Sequence, residues 1–145
     1  SAGRAAPSRT WVDARPDVPP KGLTSENNAS LVLRVGCGAG RLLLTGDLEK
    51  EGEDALLAAQ APLQAHVLKV SHHGSRGGTQ ASFLAAVRPQ LAIVSVGPNP
   101  YGLPHVETLA RLRRAGVTVL RTDQQGAIRV TLGAKLEVQT MGSGP

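Results

Sequence analysis

One cysteine, three aromatic side chains and no long apolar run set the first limits on this chain of 145 residues. A lone Cys37 excludes an intramolecular disulfide and a zinc site built from cysteines, and it leaves the redox compartment open. Trp11, Phe83 and Tyr101 are the whole aromatic complement, so the core must be aliphatic. A surface that stacks bases on aromatic platforms is not expected. No apolar stretch approaches the ~18–20 residues that span a bilayer, so this piece is not itself membrane-embedded. The opening residues SAGRAAPSRTWVDARPD lack the apolar h-region of a signal peptide. They also lack an initiator Met, as expected of a piece of something longer.

What is present reads as one ordinary domain. With 41% hydrophobic residues the chain is globular rather than disordered, and its length suffices to bury a core. The net charge of +5 is unevenly placed. Residues 76–129 hold seven arginines against Glu107 and Asp123, whereas residues 30–75 are slightly acidic. A basic second half suits a phosphate-bearing polymer, but it equally describes a solvated arginine-rich surface, so charge alone does not decide.

Four prolines fall within the first 20 residues, and residues 1–29 read as a loop or extended lead-in. The domain proper is expected over 30–140, followed by a flexible tail at 141–145. Ser30–Val35 and Arg41–Thr45 have the length and composition of strands, joined by the Gly-rich GCGAG as a hairpin. GCGAG is no dinucleotide fingerprint, because Arg41 stands where the third glycine belongs and a strand follows. Leu48–Ala59 predicts an amphipathic helix with acids in its first turns, as the helix dipole prefers. His66–Val70 is a strand leading into the loop SHHGSRGG. Thr79 is placed to cap a helix ending near Val87, before Pro89. Leu91–Val96 is a buried strand, and after GPNPYGLPH a helix runs over Val106–Ala115, with Gly116 as its stop. Val117–Arg121, Ala127–Leu132 and Lys135–Gln139 complete the strands, the first two joined through DQQG. Strands alternating with short helices make the class α/β.

The chemically useful side chains follow strands, where α/β folds build sites. Asp47 ends LLLTG, His72 and His73 end HVLKV, and His105 lies after LAIVSV. A carboxylate can bridge divalent ions and imidazoles can add terminal ligands, together holding a hydroxide at neutral pH. Each residue also has a plain structural reading. Asp47 precedes a helix it could cap, one of the paired histidines could be buried and the other solvated, and His105 could simply start its helix. His66, heading a strand, reads as structural. Ser75 has no G-x-S-x-G elbow around it, which argues against a serine hydrolase.

The stretches LLLTGDLEKEGEDALL, HVLKVSHHGS and FLAAVRPQLAIVSVGPNPYGLPHVETLARLRRAGVTVLRTDQQGAIRV resemble the end of the metallo-β-lactamase-like domain of ComEC-type DNA-uptake proteins. The likeness covers about residues 27–130. It implies the C-terminal half of an αββα sandwich with a two-metal site between its sheets. Asp47 of TGD is then the expected bridging ligand, and His73 the expected terminal ligand. His72 lines the site or helps to bind phosphate, His105 stands on the substrate side, and Ser75 donates to a phosphate. Two departures stand out. Leu103 takes the place of a histidine usual in the family's YG-H-P-H loop, and the superfamily's H-x-H-x-D-H motif has no counterpart in the chain.

The resemblance thus implies a fragment of a metal-dependent phosphodiesterase or nuclease acting on DNA, its single strand above all, during natural transformation. The cofactors implied are two divalent ions, zinc or manganese, in the complete domain. The chain alone is expected to bind metal poorly and to be inactive until an N-terminal half completes sheet and site; otherwise an exposed apolar face invites homo-oligomers. The parent is expected to be embedded in the cell membrane, with this domain soluble on the extracytoplasmic side. The alternative is a non-catalytic DNA-binding or structural module of the same fold. A third reading keeps the fold but changes the substrate to a lactone, a phosphocholine ester or a small phosphodiester.

Overall fold

A computed structural model describes residues 10–15, as backbone, and residues 26–142. The rest of the anticipated lead-in (1–9 and 16–25) and tail residues 143–145 lie outside the described residues. Strands form at Thr10–Arg15 (β1), Val32–Cys37 (β2), Gly40–Leu44 (β3), Val67–Lys69 (β4), Leu91–Val94 (β5), Thr118–Arg121 (β6), Ile128–Thr131 (β7) and Glu137–Thr140 (β8). Helices span Lys50–Ala58 (α1), Ala81–Val87 (α2) and Val106–Arg114 (α3), with a single turn at Thr122–Gln125 (α4). Among the described residues no helix is long and apolar enough to cross a membrane.

β1 to β6 form one sheet in sequence order. β1, β2 and β3 are antiparallel neighbours, and β3, β4, β5 and β6 run parallel. This is the mixed α/β sheet expected from strands that alternate with helices. Register aligns Leu43, Leu68, Ala92 and Val119 in one row across the parallel strands. Side chains alternate faces along a strand, so this row shares a face. Its members join Phe83, Leu84, Val87 and Leu112, from α2 and α3, in one aliphatic core. The intervening residues Leu42, Leu44, Ile93 and Leu120 point the other way and stay only half-buried. One face of the sheet is therefore packed under helices, while the opposite face is partly open.

Three expectations change. Within the stretch read as a loop or extended lead-in, residues 10–15 are a strand paired along all of β2, because the apolar β2 offers that edge an unsatisfied ladder. The strands read as part of one helix-covered sheet divide after β6: Thr122–Gln125 fold into α4, and the chain passes into a separate two-stranded sheet, β7–β8. That sheet is tied back where Ala39 N–H donates to the Gly133 carbonyl at 3.1 Å. Thr79 is not the cap of α2, which begins after Gln80, and Thr79 is itself buried in a left-handed conformation.

Nor does Asp47 cap α1. The N-terminus of α1 is held from outside by buried Asn28, whose Oδ1 accepts from Glu49 N–H (3.0 Å) and Gly52 N–H (2.9 Å). Two orphan amides of the first turn are thus satisfied by a residue more than 20 positions away. The Asn28→Ala substitution strands both amides and is expected to lower stability by about 2 kcal/mol. The urea midpoint should fall with an unchanged m-value.

Candidate functional site

Three neighbouring parallel strands, β3, β4 and β5, deliver their carboxyl ends to one edge of the sheet. After β3 comes Asp47, half-buried, its N–H donating to Ser30 Oγ at 3.0 Å. Among the described residues its carboxylate accepts no hydrogen bond, so the capping role that competed for it is vacant. After β4 the chain makes a tight 3-10 turn, Ser71–Gly74, that carries both histidines. After β5 the loop 95–105 leads to His105 and α3.

Backbone bonds join the three ends. His72 N–H donates to the Gly46 carbonyl (3.0 Å), which sets the His72 turn beside Asp47, and His105 N–H donates to the Gly74 carbonyl (2.9 Å). Thr108 Oγ1 donates to the Ser75 carbonyl at 2.9 Å, and Ser75 Oγ accepts from Gly77 N–H at 3.2 Å. Gly74 sits at φ +83°, and a Cβ there would meet Pro104 Cβ at 2.5 Å, so only glycine lets the two loops close up. Asn99 stiffens the β5 loop: its Oδ1 accepts from Tyr101 and Leu103 N–H, and its Nδ2 donates to the Gly97 and Leu103 carbonyls.

The three histidines have different proton arrangements. His73 Nδ1 lies 2.6 Å from the Ser95 carbonyl. A carbonyl can only accept, so Nδ1 carries the proton and Nε2 keeps its lone pair; metal-ligating histidines are held in this way. His105 is the reverse. Its Nδ1 accepts from Glu107 N–H at 3.2 Å as the N-cap of α3, so the proton of the neutral ring sits on Nε2. While it caps the helix, His105 presents a donor and not a ligand. His72 Nδ1 is buried without a hydrogen-bond partner, 3.8 Å from Glu49 Oε1, which also accepts from Asn27 Nδ2. Both paired histidines adopt left-handed backbone (φ 47° and 55°), a strained choice for non-glycine residues.

Sequence reasoning missed the residues that hold this turn. Glu53 of α1, 1% exposed, accepts from Thr79 N–H and from Gln80 N–H (3.0 Å). Arg111 of α3 donates to the carbonyls of Thr79 (3.1 Å), Arg76 (3.0 Å) and Gly78 (2.9 Å). Ser71 Oγ donates to the Leu48 carbonyl at 2.7 Å, and Lys50 N–H to the Gly77 carbonyl at 2.8 Å. The available signal was a charged residue on the apolar face of α1, in line with Leu56 and Leu57. His66 is structural, as read: its Nδ1 accepts from Arg41 N–H at 3.1 Å.

Among the described residues no three His, Cys, Asp or Glu side chains converge as a metal-binding group. Asp47 and His73 follow the neighbouring strands β3 and β4.

The chain belongs to the metallo-beta-lactamase superfamily, whose family model matches residues 7–97 and whose α/β class agrees with the mixed sheet. Among curated proteins it is similar to ComE operon protein 3 of Bacillus subtilis, 47% identical over 106 residues (72% of this chain, 14% of that protein). It is also similar to Competence protein ComA of Neisseria gonorrhoeae, 41% identical over 110 residues (74% and 16%). A third relative is Recombination protein 2 of Haemophilus influenzae, 38% identical over 117 residues (79% and 15%). The chain thus spans about a seventh of the length of these relatives.

Burial raises the Glu53 carboxyl from 4.5 to about 7, against the opposing pull of the Gln80 and Thr79 amides and the Arg111 guanidinium. Above 4.5 the unfolded chain has released this proton while the folded chain keeps it, so stability declines as pH rises from 4.5 to about 7. The expected decline attributable to Glu53 is on the order of 3 kcal/mol. Urea melts across that window should show it, and the Glu53→Gln variant should lose that part of the slope.

Proposed function

We propose that this chain supplies the C-terminal half of a metal-dependent phosphodiesterase or nuclease domain that acts on DNA during DNA uptake. The observation that carries the reading is the His73 ring, pinned through Nδ1–H to the Ser95 carbonyl with Nε2 left as a lone pair, one loop away from an unengaged Asp47 carboxylate. The names of the similar proteins, two of them competence or competence-operon proteins and one a recombination protein, support DNA as the substrate. The complete domain holds two divalent ions, zinc or manganese, with Asp47 and His73 among their ligands. The remaining ligands come from outside the described residues. The parent protein is embedded in the cell membrane, with this domain on its extracytoplasmic side, and the half-open sheet face is the seat of the completing half.

In this reading the remaining residues take the following roles. His105, with its proton on Nε2, donates to a non-bridging phosphate oxygen or to the leaving oxygen. His72, its Nδ1 buried 3.8 Å from Glu49 Oε1, lines the site beside His73 or helps to bind the phosphate. Ser75, fixed by Gly77 N–H on its oxygen, can turn its own proton toward a phosphate. Nothing in this arrangement favours an ester or lactone over a phosphodiester, whereas the arginine-rich second half favours a polyanion.

The test is metal content and DNA cleavage by the domain extended to include the completing half. The expected result is about two ions per chain and cleavage, with Asp47→Ala and His73→Ala each losing roughly 100-fold or more in activity together with bound metal. A folded, extended domain that holds no metal and cuts nothing assigns the chain to a binding module instead.

His105 yields a finer prediction. Asn is as good a helix cap as any residue, so His105→Asn keeps the stability of α3 while removing the Nε2 donor. Cleavage by that variant should drop about 100-fold with an unchanged melting temperature. His105→Ala should lose both cleavage and about 1 kcal/mol of stability.

A further inference from the structure

The amino ends of the parallel strands, a strand's length from the site, carry a chemistry that the site does not use. Three concavities open there, of about 510, 390 and 300 Å³, the first running between α2 and α3 as far as Ala81 and Arg111. Arg88 lines all three, and Gln64 is shared by the second and third. The first also holds Arg111 and Arg114, the second Arg34, and the third Arg41. No Asp or Glu lines any of them. Arg111 is committed to the loop carbonyls, and Arg34 Nε donates to the Gln64 carbonyl at 2.9 Å. Arg41, Arg88 and Arg114 are exposed and form no ion pair among the described residues. Arginine elsewhere in the second half behaves differently: Arg76 pairs with Glu107, and Arg121 with Asp123.

Arg88 is the telling residue. It closes α2 in a left-handed conformation (φ 50°, ψ 52°), where glycine is the usual choice because any Cβ is strained. The backbone thus gains nothing from an arginine at this position. What the side chain does is place a guanidinium at the junction of three concavities. A dipole argument would account for one cation at the end of each helix, but not for Arg41, which opens a strand.

We infer that this face binds the phosphodiester backbone of a nucleic acid, through Arg41, Arg88 and Arg114 and without reading sequence. Several unpaired guanidiniums along connected hollows match phosphates repeated along a strand, and each contact releases condensed counterions. The concavities present no Phe, Tyr or Trp ring, and the one imidazole there, His66, is held through Nδ1 by Arg41 N–H, so contact is with the backbone and not through a platform of stacked bases. Nor do they present the exposed apolar wedge by which an amphipathic surface enters lipid. The inference does not depend on hydrolysis, since it uses none of the site residues. It supplies a second anchor by which a long polymer is held on the far side of the sheet.

The probe is a dye-labelled single-stranded DNA of about 20 nucleotides, longer than the ~4–16 that one small domain covers. Anisotropy is followed against salt with EDTA present, so that turnover plays no part. The combined variant Arg41→Ala, Arg88→Gly, Arg114→Ala should bind at least about tenfold more weakly at ~50 mM salt, with a salt dependence shallower by about 2. Arg88→Gly alone should weaken binding while its melting temperature holds or rises, because glycine relieves the left-handed strain; this separates lost contact from lost fold. The inference is overturned if the combined variant binds like the parent, or if binding falls only alongside melting temperature. It is overturned equally if Asp47→Ala or His73→Ala abolishes this binding, which moves the strand to the site, or if phosphatidylglycerol vesicles are bound more tightly than the oligonucleotide at the same salt.

Discussion

The buried Glu53 carboxylate and the Arg111 guanidinium grip the two sides of one loop, and the placement of every candidate residue depends on that grip. Glu53 takes the amides of Thr79 and Gln80, and Arg111 takes the carbonyls of Arg76, Gly78 and Thr79. A loop running between α1, α2 and α3 would otherwise bury backbone groups without partners, at a cost comparable to a lost hydrogen bond for each. The two charges are not in direct contact; the loop backbone lies between them. Removing Glu53 strands two amides and removing Arg111 strands three carbonyls, so the loop depends on both.

The strain at His72 and His73 is intelligible only against that clamp. Two consecutive non-glycine residues in left-handed backbone cost on the order of 1–2 kcal/mol each and persist where their surroundings over-determine them. Here the turn is fixed at its start by His72 N–H on Gly46, at its end by the Ser75–His72 bond, and beyond it by Glu53 and Arg111. The conformation splays two neighbouring rings apart, with centroids 6.3 Å apart and planes at 63°. One ring turns to the Ser95 carbonyl and the other to Glu49. A helical or extended backbone would project the pair differently and lose this division.

Much of this was legible in the sequence, for reasons that also explain what was not. Apolar runs of strand length, the stop at Gly116 and the position of Asp47, His72, His73 and His105 after strands are local signals, read within a few residues. The α/β class followed from their alternation. The cap of α1 was not legible, because Asn28 reaches it across more than 20 residues and an equally good local candidate, Asp47, stood nearer. The Thr79 cap failed for the same reason, since Glu53 supplies the acceptor from another helix. β1 was missed because prolines on both sides of residues 10–15 mask a strand that pairs with β2, distant along the chain. The site followed the same rule: which residues stand at the strand ends could be read, but which imidazole nitrogen carries the proton is decided by Ser95 and Glu107, through the folded backbone.

A parallel sheet gives its two ends different tasks, and here the division extends to charge. At the carboxyl ends, loops joined by the Gly46–His72 and Gly74–His105 bonds hold the His73 and His105 imidazoles in orientations set within the chain, beside the unengaged Asp47 carboxylate. At the amino ends, short connections leave room for long cationic side chains and little else. In the proposed reading, the described residues supply positions for a site whose remaining donors come from a completing half. That distinction bears on how a completing half would act. Where one side is already fixed by its own hydrogen bonds, little ordering remains to oppose association, and more of the contact free energy appears as affinity. A frame that is rigid before it is complete favours assembly of the site by docking over folding of both halves together, and the clamp of Glu53 and Arg111 is what makes this half rigid.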